Sequence, residues 1–580
     1  VASSDHGVLE LLTATEDLLA AVRTAPLRLQ TPRLNDARAI QREVTDQLSD
    51  FVIPRLNQLD APMLVVVGGS TGAGKSTLVN SIVGRHVSDT GVLRPTTRTP
   101  VLVHHPDDAA WFASDRVLPD LKRTGENPHE VYALRQVSSP TIPAGLAILD
   151  APDIDSIDVG NRELAEQLLA AADLWLFVTS AARYADHVPW DYLRRAAERS
   201  ASVAVVLDRT PADAVEDVRR HLARMMTARG LSDSPLFTVR ESPVNSRGML
   251  PFDEVGQIVL WLQELAADVV GRRTIVAATL HGAIRHDVFR SRDLADEIEE
   301  QAEAAEALVH DVDTIYRRAV DEVASAATDG TVLRGEVLAR WQAFVGTGEV
   351  LRRLEQTVGS WRDRVAARAV RQVDPQTVKS AIGQGLHLLV VEQAERAAEE
   401  TARAWESEPA GRALLDEHRG LDRASREFSA RAERLAREWQ EFVQELVAEQ
   451  GEGKKARATA VSTGVNATGI ALMVAVFAGT GGITGAEVGI AGGTAVVAQK
   501  LLQAVFGDQA VRDLADRAAT ELCARIEAIF DDEAQRYRRL VPEPKSVRAA
   551  QRELRKVANR ADVVRLATDI RRPTIQQEGV

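Results

Sequence analysis

The chain has 580 residues, 45% of them hydrophobic and 27% charged, which is a globular composition in a length that exceeds one ordinary domain. Its net charge of -14 argues against a general nucleic-acid binder, whose surface is normally basic, so no nucleic-acid partner is expected. The lone cysteine, Cys523, excludes an internal disulfide and a cysteine metal cluster and suits a reducing cytoplasm.

Residues 1–60 read as helices. Leu9, Leu11, Leu12, Leu18, Leu19 and Val22 recur near helical spacing, Pro26 and Pro32 interrupt the pattern, and a second helix is expected from about 36 to 53. Residues 61–270 alternate short apolar runs with amphipathic stretches. The predicted strands are 63–67, 101–104, 146–150, 174–178, 203–207 and 236–239. Helical patterns between most of them predict an α/β domain with a mainly parallel sheet, whose ligands bind at the carboxyl ends of the strands.

The first strand runs into Gly69, Ser70, Thr71, Gly72, Ala73, Gly74, Lys75 and Ser76, a full match to G-x-x-x-x-G-K-[ST], with Thr77 continuing into a helical pattern. Strand, glycine loop and helix N-terminus together make a phosphate cradle, because successive N–H groups point inward and the helix dipole adds positive potential. Lys75 is expected on the β- and γ-phosphates, and the Ser76 hydroxyl on Mg²⁺. Thr97, with Thr96 as the alternative, lies at the distance expected of a switch residue that closes over Mg²⁺ and the γ-phosphate. Asp150 ends a buried apolar strand, where the carboxylate that orients Mg²⁺ in such enzymes belongs. Lys75, Thr97 and Asp150 are therefore the candidate catalytic residues, and Ser76, Thr97 and Asp150 the candidate Mg²⁺ set.

Several positions depart from the pattern of GTP-binding sites. Asp153 stands where a D-x-x-G glycine is expected, which puts a carboxylate opposite the triphosphate. Asp208-Arg209 stands where N/T-K-x-D should read the base. Arg209 can stack its stem on a base, but Asp208 lacks the amide donor of asparagine, so the sequence leaves GTP against ATP open. Thr71 adds a side chain where an arginine supplied by an activating protein would enter, and Gly72 lacks the side chain that holds a monovalent cation in cation-dependent enzymes.

Residues 271–457 lack strand signals and read as a long helical region. Leu421, Phe428, Leu435 and Phe442 recur every seven residues, with Ala432, Trp439 and Leu446 four further on, a seam for left-handed helix packing inside one chain or between two. Residues 458–506 are rich in Ala, Gly, Val and Ile, with no charge from 458 to 486. Lys454, Lys455 and Arg457 precede this stretch, which fits an apolar hairpin approaching anionic lipid; Leu472, Val476 and Phe477 are its candidate membrane contacts. A hairpin buried in the chain's own helices remains the other reading. Residues 507–580 return to charged helical patterning.

Residues 69–76, Pro95-Thr96-Thr97 and Asp150-Ala-Pro match the motifs of the bacterial dynamin-like proteins, and the stretch from Phe177 to Asp186 is similar to their actinobacterial members. The resemblance implies a large GTPase domain (61–270), joined by helices (1–60) to a helical stalk (271–457 and 507–580) with a membrane-interacting tip (458–506). It implies a Mg-dependent GTP hydrolase that couples nucleotide binding to dimerisation, with itself or with a paired dynamin-like partner, and to remodelling of the cytoplasmic membrane from its inner face. The alternatives are a soluble or ribosome-associated GTPase switch and a weakly hydrolysing nucleotide-binding scaffold.

Overall fold

The computed structural model describes residues 2–89, 99–113, 121–124, 133–155, 159–198, 202–328, 332, 337, 339–341, 375–450, 465–478, 498–499, 502–503 and 506–570. The chain divides into two compact units. One comprises residues 1–27, 33–299 and 547–580, the other 28–32 and 300–546.

The first unit is built on an eight-stranded sheet of β1 (Met63–Gly69), β2 (Val101–His104), β3 (Lys122–Thr124), β4 (Ala133–Ser138), β5 (Leu146–Asp150), β6 (Leu174–Ser180), β7 (Ser202–Thr210) and β8 (Leu236–Arg240). The strand order is β3-β4-β2-β5-β1-β6-β7-β8, parallel throughout except for β2 against β5. All six strands expected from the sequence are present. The two that were missed, β3 and β4, are the outermost pair on one side of the sheet, with β3 at the edge. Apart from the buried Ala133 and Leu134 their side chains are half or fully exposed, so neither carries a continuous apolar run. In β1, Leu64 and Val66 enter the core on one face while Met63, Val65 and Val67 enter the core on the other. A strand covered on both faces has no polar side, which is why it reads as an uninterrupted apolar run.

Helices α1 (Ala2–Arg23), α2 (Leu34–Gln47) and α3 (Ile53–Asn57) precede the sheet. A π-helical turn, Leu48–Val52, joins the last two, and Pro54 falls in the first turn of α3, where its missing N–H costs no helical bond. Within the domain follow α4 (Lys75–Val83), the short α5 (Ala109–Phe112), α6 (Val159–Ala170), α7 (His187–Glu198), α8 (Val215–Thr227) and α9 (Phe252–Ala267). Helix α10 (Val269–Thr328) is 60 residues long, and the division between the units falls inside it. The last described helix, α16 (Pro544–Ala567), belongs from Val547 onward to the first unit. Arg560 bonds Asp17 of α1 at 2.7 Å, and Thr568 just beyond the helix bonds Gly7.

The second unit is helical: the latter part of α10, α11 (Pro375–Glu406), α12 (Pro409–Glu417), α13 (Phe428–Gln450), α14 (Val465–Phe477) and α15 (Asp508–Arg538). The heptad residues are core: Phe428, Ala432, Trp439 and Leu446 are fully or almost fully buried. The Trp439 indole donates to the Ala518 carbonyl at 2.8 Å and stacks, tilted, on Phe477 with ring centres 5.1 Å apart. The seam is therefore filled from within the chain. Leu421, the first heptad position, lies before the helix, in a loop that the buried Glu533 fixes by accepting from the Ser425 amide and hydroxyl, each at 2.7 Å.

Candidate active site

The sheet and α4 form the loop the sequence predicts. Strand β1 ends at Gly69, beside Val178 of β6. A side chain at Gly69 would collide with the Val178 carbonyl, so only glycine lets the two strands stay paired there. Gly74 has a φ of +97° and caps α4, and a Cβ there would strike the Asp208 carboxylate. The turn thus places Lys75 as the first residue of α4, with the free amides of that helix end around it.

The Lys75 ammonium lies in the mouth of this loop and is almost fully buried. It donates to the carbonyls of Gly69 at 2.9 Å and Ser70 at 3.1 Å and to Asp153. Those three bonds use all three of its protons. Asp153, the residue that replaces the expected glycine, is thus ion-paired with the lysine that the motif assigns to phosphate. Asp150 ends β5 and is completely buried. Burial pushes its carboxyl up from the ordinary value, opposed by the Ser88 and Ser76 hydroxyls and by the Lys75 charge. Ser88 is delivered by α4: Asn80 accepts from the Val87 and Ser88 amides at 2.7 and 2.9 Å, and the Ser88 hydroxyl reaches Asp150.

The base-reading candidates come to the same loop. Asp208, at the end of β7, is buried, accepts from the Arg209 amide at 2.7 Å and presses on Gly74. Burial pushes its carboxyl up to about 6. Arg209 is the single described residue other than glycine with positive φ, +50°, which turns its side chain back toward Gly74. Gly69 to Thr77, Asp150, Asp208 and Arg209 therefore share one end of the sheet. Thr97 and its alternative Thr96 lie outside the described residues, as do Lys454, Lys455 and Arg457.

Among the described residues no three His, Cys, Asp or Glu side chains converge as a metal site. The fit to Mg²⁺ rests on Asp150, whose Oδ1 is buried without a hydrogen-bond partner, next to the Ser76 hydroxyl. One carboxylate and one hydroxyl suit a cation that keeps most of its ligands as water and phosphate oxygen.

Sequence reasoning missed Ser88, Asp155 and Arg183. Asp155 accepts from the Thr71 amide and hydroxyl, both at 2.6 Å, and from Arg183. The signal available was the spacing of three aspartates in six residues, 150 to 155, beside the one loop that offers so many N–H donors.

The expected membrane contacts need correction. Leu472, Val476 and Phe477 are not at a surface: they are buried in the core of the helical unit, with Ile470, Met473 and Val474 of the same helix. A helix apolar on every side is as well satisfied by a protein core as by lipid, and the composition does not separate the two. Among the described residues no helix is long and apolar enough to cross a membrane.

Residues 65–129, which contain the phosphate loop and α4, match the model of the Dynamin family. That segment is similar to the dynamin family. The chain is also 25% identical over 168 residues, 29% of its length, to a probable transmembrane GTPase FZO-like, chloroplastic, of Arabidopsis thaliana. The match spans 17% of that relative. Among solved structures, a member of an oligomerised bacterial dynamin pair aligns over 90% of this chain and 91% of its own, at 11% identity and a TM-score of 0.32. Aquifex aeolicus Era bound to GDP and AlF4⁻ aligns over 34% and 56%, at 20% identity and a TM-score of 0.23.

Proposed function

We propose that the chain is a GTP hydrolase of the dynamin type, which couples Mg-dependent nucleotide binding and hydrolysis to dimerisation and to remodelling of the cytoplasmic membrane. The observation that carries the reading is the convergence of Lys75, Ser76 and Asp150 on one glycine loop at the carboxyl end of a parallel sheet. In this reading the loop amides and Lys75 hold the phosphates, and Asp208 and Arg209 border the base. Ser76, Asp150 and Thr97 would hold Mg²⁺, which when bound neutralises charge on the phosphate oxygens. The domain boundaries read from the sequence, with 61–270 as catalytic domain and 458–506 as tip, are part of this proposal.

Membrane action places the chain at the inner face of the membrane, with anionic lipid and a second dynamin-like chain as partners. Because Leu472, Val476 and Phe477 are core residues, lipid contact by α14 requires that helix to leave its packing first. Hydrogen exchange reports this directly. Amides of 465–477 should lose protection on adding a non-hydrolysable GTP analogue with anionic liposomes; unchanged protection removes α14 from the membrane role. The activity is tested by phosphate release from GTP and from ATP. Wild type should release phosphate and Lys75→Ala should not; equal release by both would overturn the site. The Lys75–Asp153 ion pair favours one other reading, a scaffold that binds nucleotide and turns it over little, which phosphate release separates from the first.

A further inference from the structure

The segment from Asp150 to Asp155 carries three aspartates, and each meets a different part of the phosphate loop. Asp150 faces Ser76, and Asp153 holds Lys75. Asp155 Oδ1 takes the Thr71 N–H and O–H, and its Oδ2 takes Arg183 Nη1 at 2.6 Å. The same Nη1 also donates to the Thr71 carbonyl at 3.2 Å. Two carboxylates therefore sit on donors that a phosphate loop directs at an anionic ligand: the Lys75 ammonium and a loop amide. A carboxylate bonded to a backbone N–H and a guanidinium stands in for a phosphate oxygen, since both are anionic oxygens with several lone pairs.

This stand-in identifies a further member of the site. Arg183 shares one carboxylate group with the Thr71 amide. An anionic oxygen that takes the place of the Asp155 carboxylate at Thr71 N–H comes within hydrogen-bond reach of Arg183. The chain geometry supports this. Strand β6 pairs directly with β1, and a turn closed by the Arg183 amide on the Ser180 carbonyl at 2.9 Å brings the side chain over the loop. The guanidinium is 40% exposed, so it can exchange partners without being extracted from a core. It has five donors in a planar fork that matches phosphate oxygens.

We propose that Arg183 is a catalytic residue of the hydrolysis reaction: a cation supplied within the chain that bonds the terminal phosphoryl group, with Asp155 holding it on Thr71 until the triphosphate displaces that carboxylate. The proposal rests on the triphosphatase reading above. In the reaction the oxygen of water forms a bond to the γ-phosphorus. The bond from that phosphorus to the bridging oxygen breaks, its electron pair stays on the diphosphate, and the proton of the water leaves with inorganic phosphate or to solvent. Arg183 gains and loses no proton; it stabilises negative charge on the oxygens while the bonds change.

The test is steady-state GTP turnover by full-length wild type, Lys75→Ala, Arg183→Ala, Arg183→Lys and Asp155→Asn, with affinity for a non-hydrolysable GTP analogue measured on each. An arginine of this kind accounts for about 10³-fold or more in turnover. Arg183→Ala should therefore lose turnover by about that factor while its analogue affinity changes little, and Arg183→Lys should recover only a small part. Added guanidinium ion should restore part of the activity of Arg183→Ala, which a structural role would not allow. Asp155→Asn should lower KM, because the competing carboxylate is gone. Turnover of Arg183→Ala close to wild type, or a loss that guanidinium does not relieve, overturns the proposal. Equal phosphate release by wild type and Lys75→Ala overturns the underlying reading instead.

Discussion

The two ends of the central sheet hold their charges differently. At the amino end of β6, Asp173 is buried and fully engaged. Its Oδ2 accepts the Leu64 amide at 2.8 Å, its Oδ1 pairs with Arg55 of α3 at 3.0 Å, and its own carbonyl accepts the Thr279 hydroxyl of α10 at 3.1 Å. Three elements meet on one residue, and both ions of the pair are shut away from water. At the carboxyl end the pair Arg183–Asp155 is open to solvent on the arginine side, while Lys75, itself buried, is paired with an Asp153 that keeps a small exposed edge. The first arrangement fixes helices to the sheet; the second, on the proposal above, holds cations with partners that an anionic ligand would replace. On that proposal, the same chemistry of carboxylate and cation gives structure at one end of the sheet and a ligand site at the other.

The most direct way to break this comparison is to remove one cation at each end. Arg55→Ala leaves an unpaired buried carboxylate and should destabilise the folded protein by about 3–5 kcal/mol, whereas Arg183→Ala, at a pair screened by water, should cost about 1 kcal/mol or less. Denaturant unfolding monitored in the first unit checks both, and equal losses would end the distinction. A second test sharpens it through Asp208, which is buried at the open end. Burial raises its carboxyl to about 6, so between the ordinary 3.8 and about 6 the folded chain keeps a proton that the unfolded chain has lost. The stability contributed by this group is therefore present below about 4, falls as pH rises through that window, and stays at its lower level above it. Asp208→Asn removes the titration, so its stability relative to wild type should rise between pH 4 and pH 7 by up to about 3 kcal/mol. A flat difference across that range would refute it. The smallest effect is expected for Asp153→Asn, which frees Lys75. A non-hydrolysable GTP analogue should bind about 5-fold more tightly, which is about 1 kcal/mol. Weaker binding would mean that Asp153 helps to hold the ligand.

The phosphate loop and six of the eight strands were legible because each depends on a local pattern. Glycines at 69, 72 and 74 answer positive φ in one short turn, and a strand covered on both faces is a continuous apolar run. Strands β3 and β4 were not legible, because an edge strand such as Lys122–Thr124 carries no such run. The partners of Asp153 and Asp155 were not legible either. Aspartates 78 and 84 residues from their loop partners meet them only once β1 and β5 have paired. The apolar stretch around Leu472 was read correctly as hydrophobic, but composition carries no information on what covers it.

Helix α14 has one further consequence, which concerns synthesis. Its described side chains, from Thr468 to Phe477, are all buried, and part of the wall that covers them is α15, whose last residue lies about sixty positions later in the chain. At the rate of translation, about 5–20 residues per second, the ribosome takes on the order of 3–12 seconds to supply that wall. During that interval a helix without a polar face has been made, and the part of its cover that α15 supplies has not. The nascent chain therefore offers an apolar segment to chaperones, and to any nearby bilayer, before the folded protein exists to hide it.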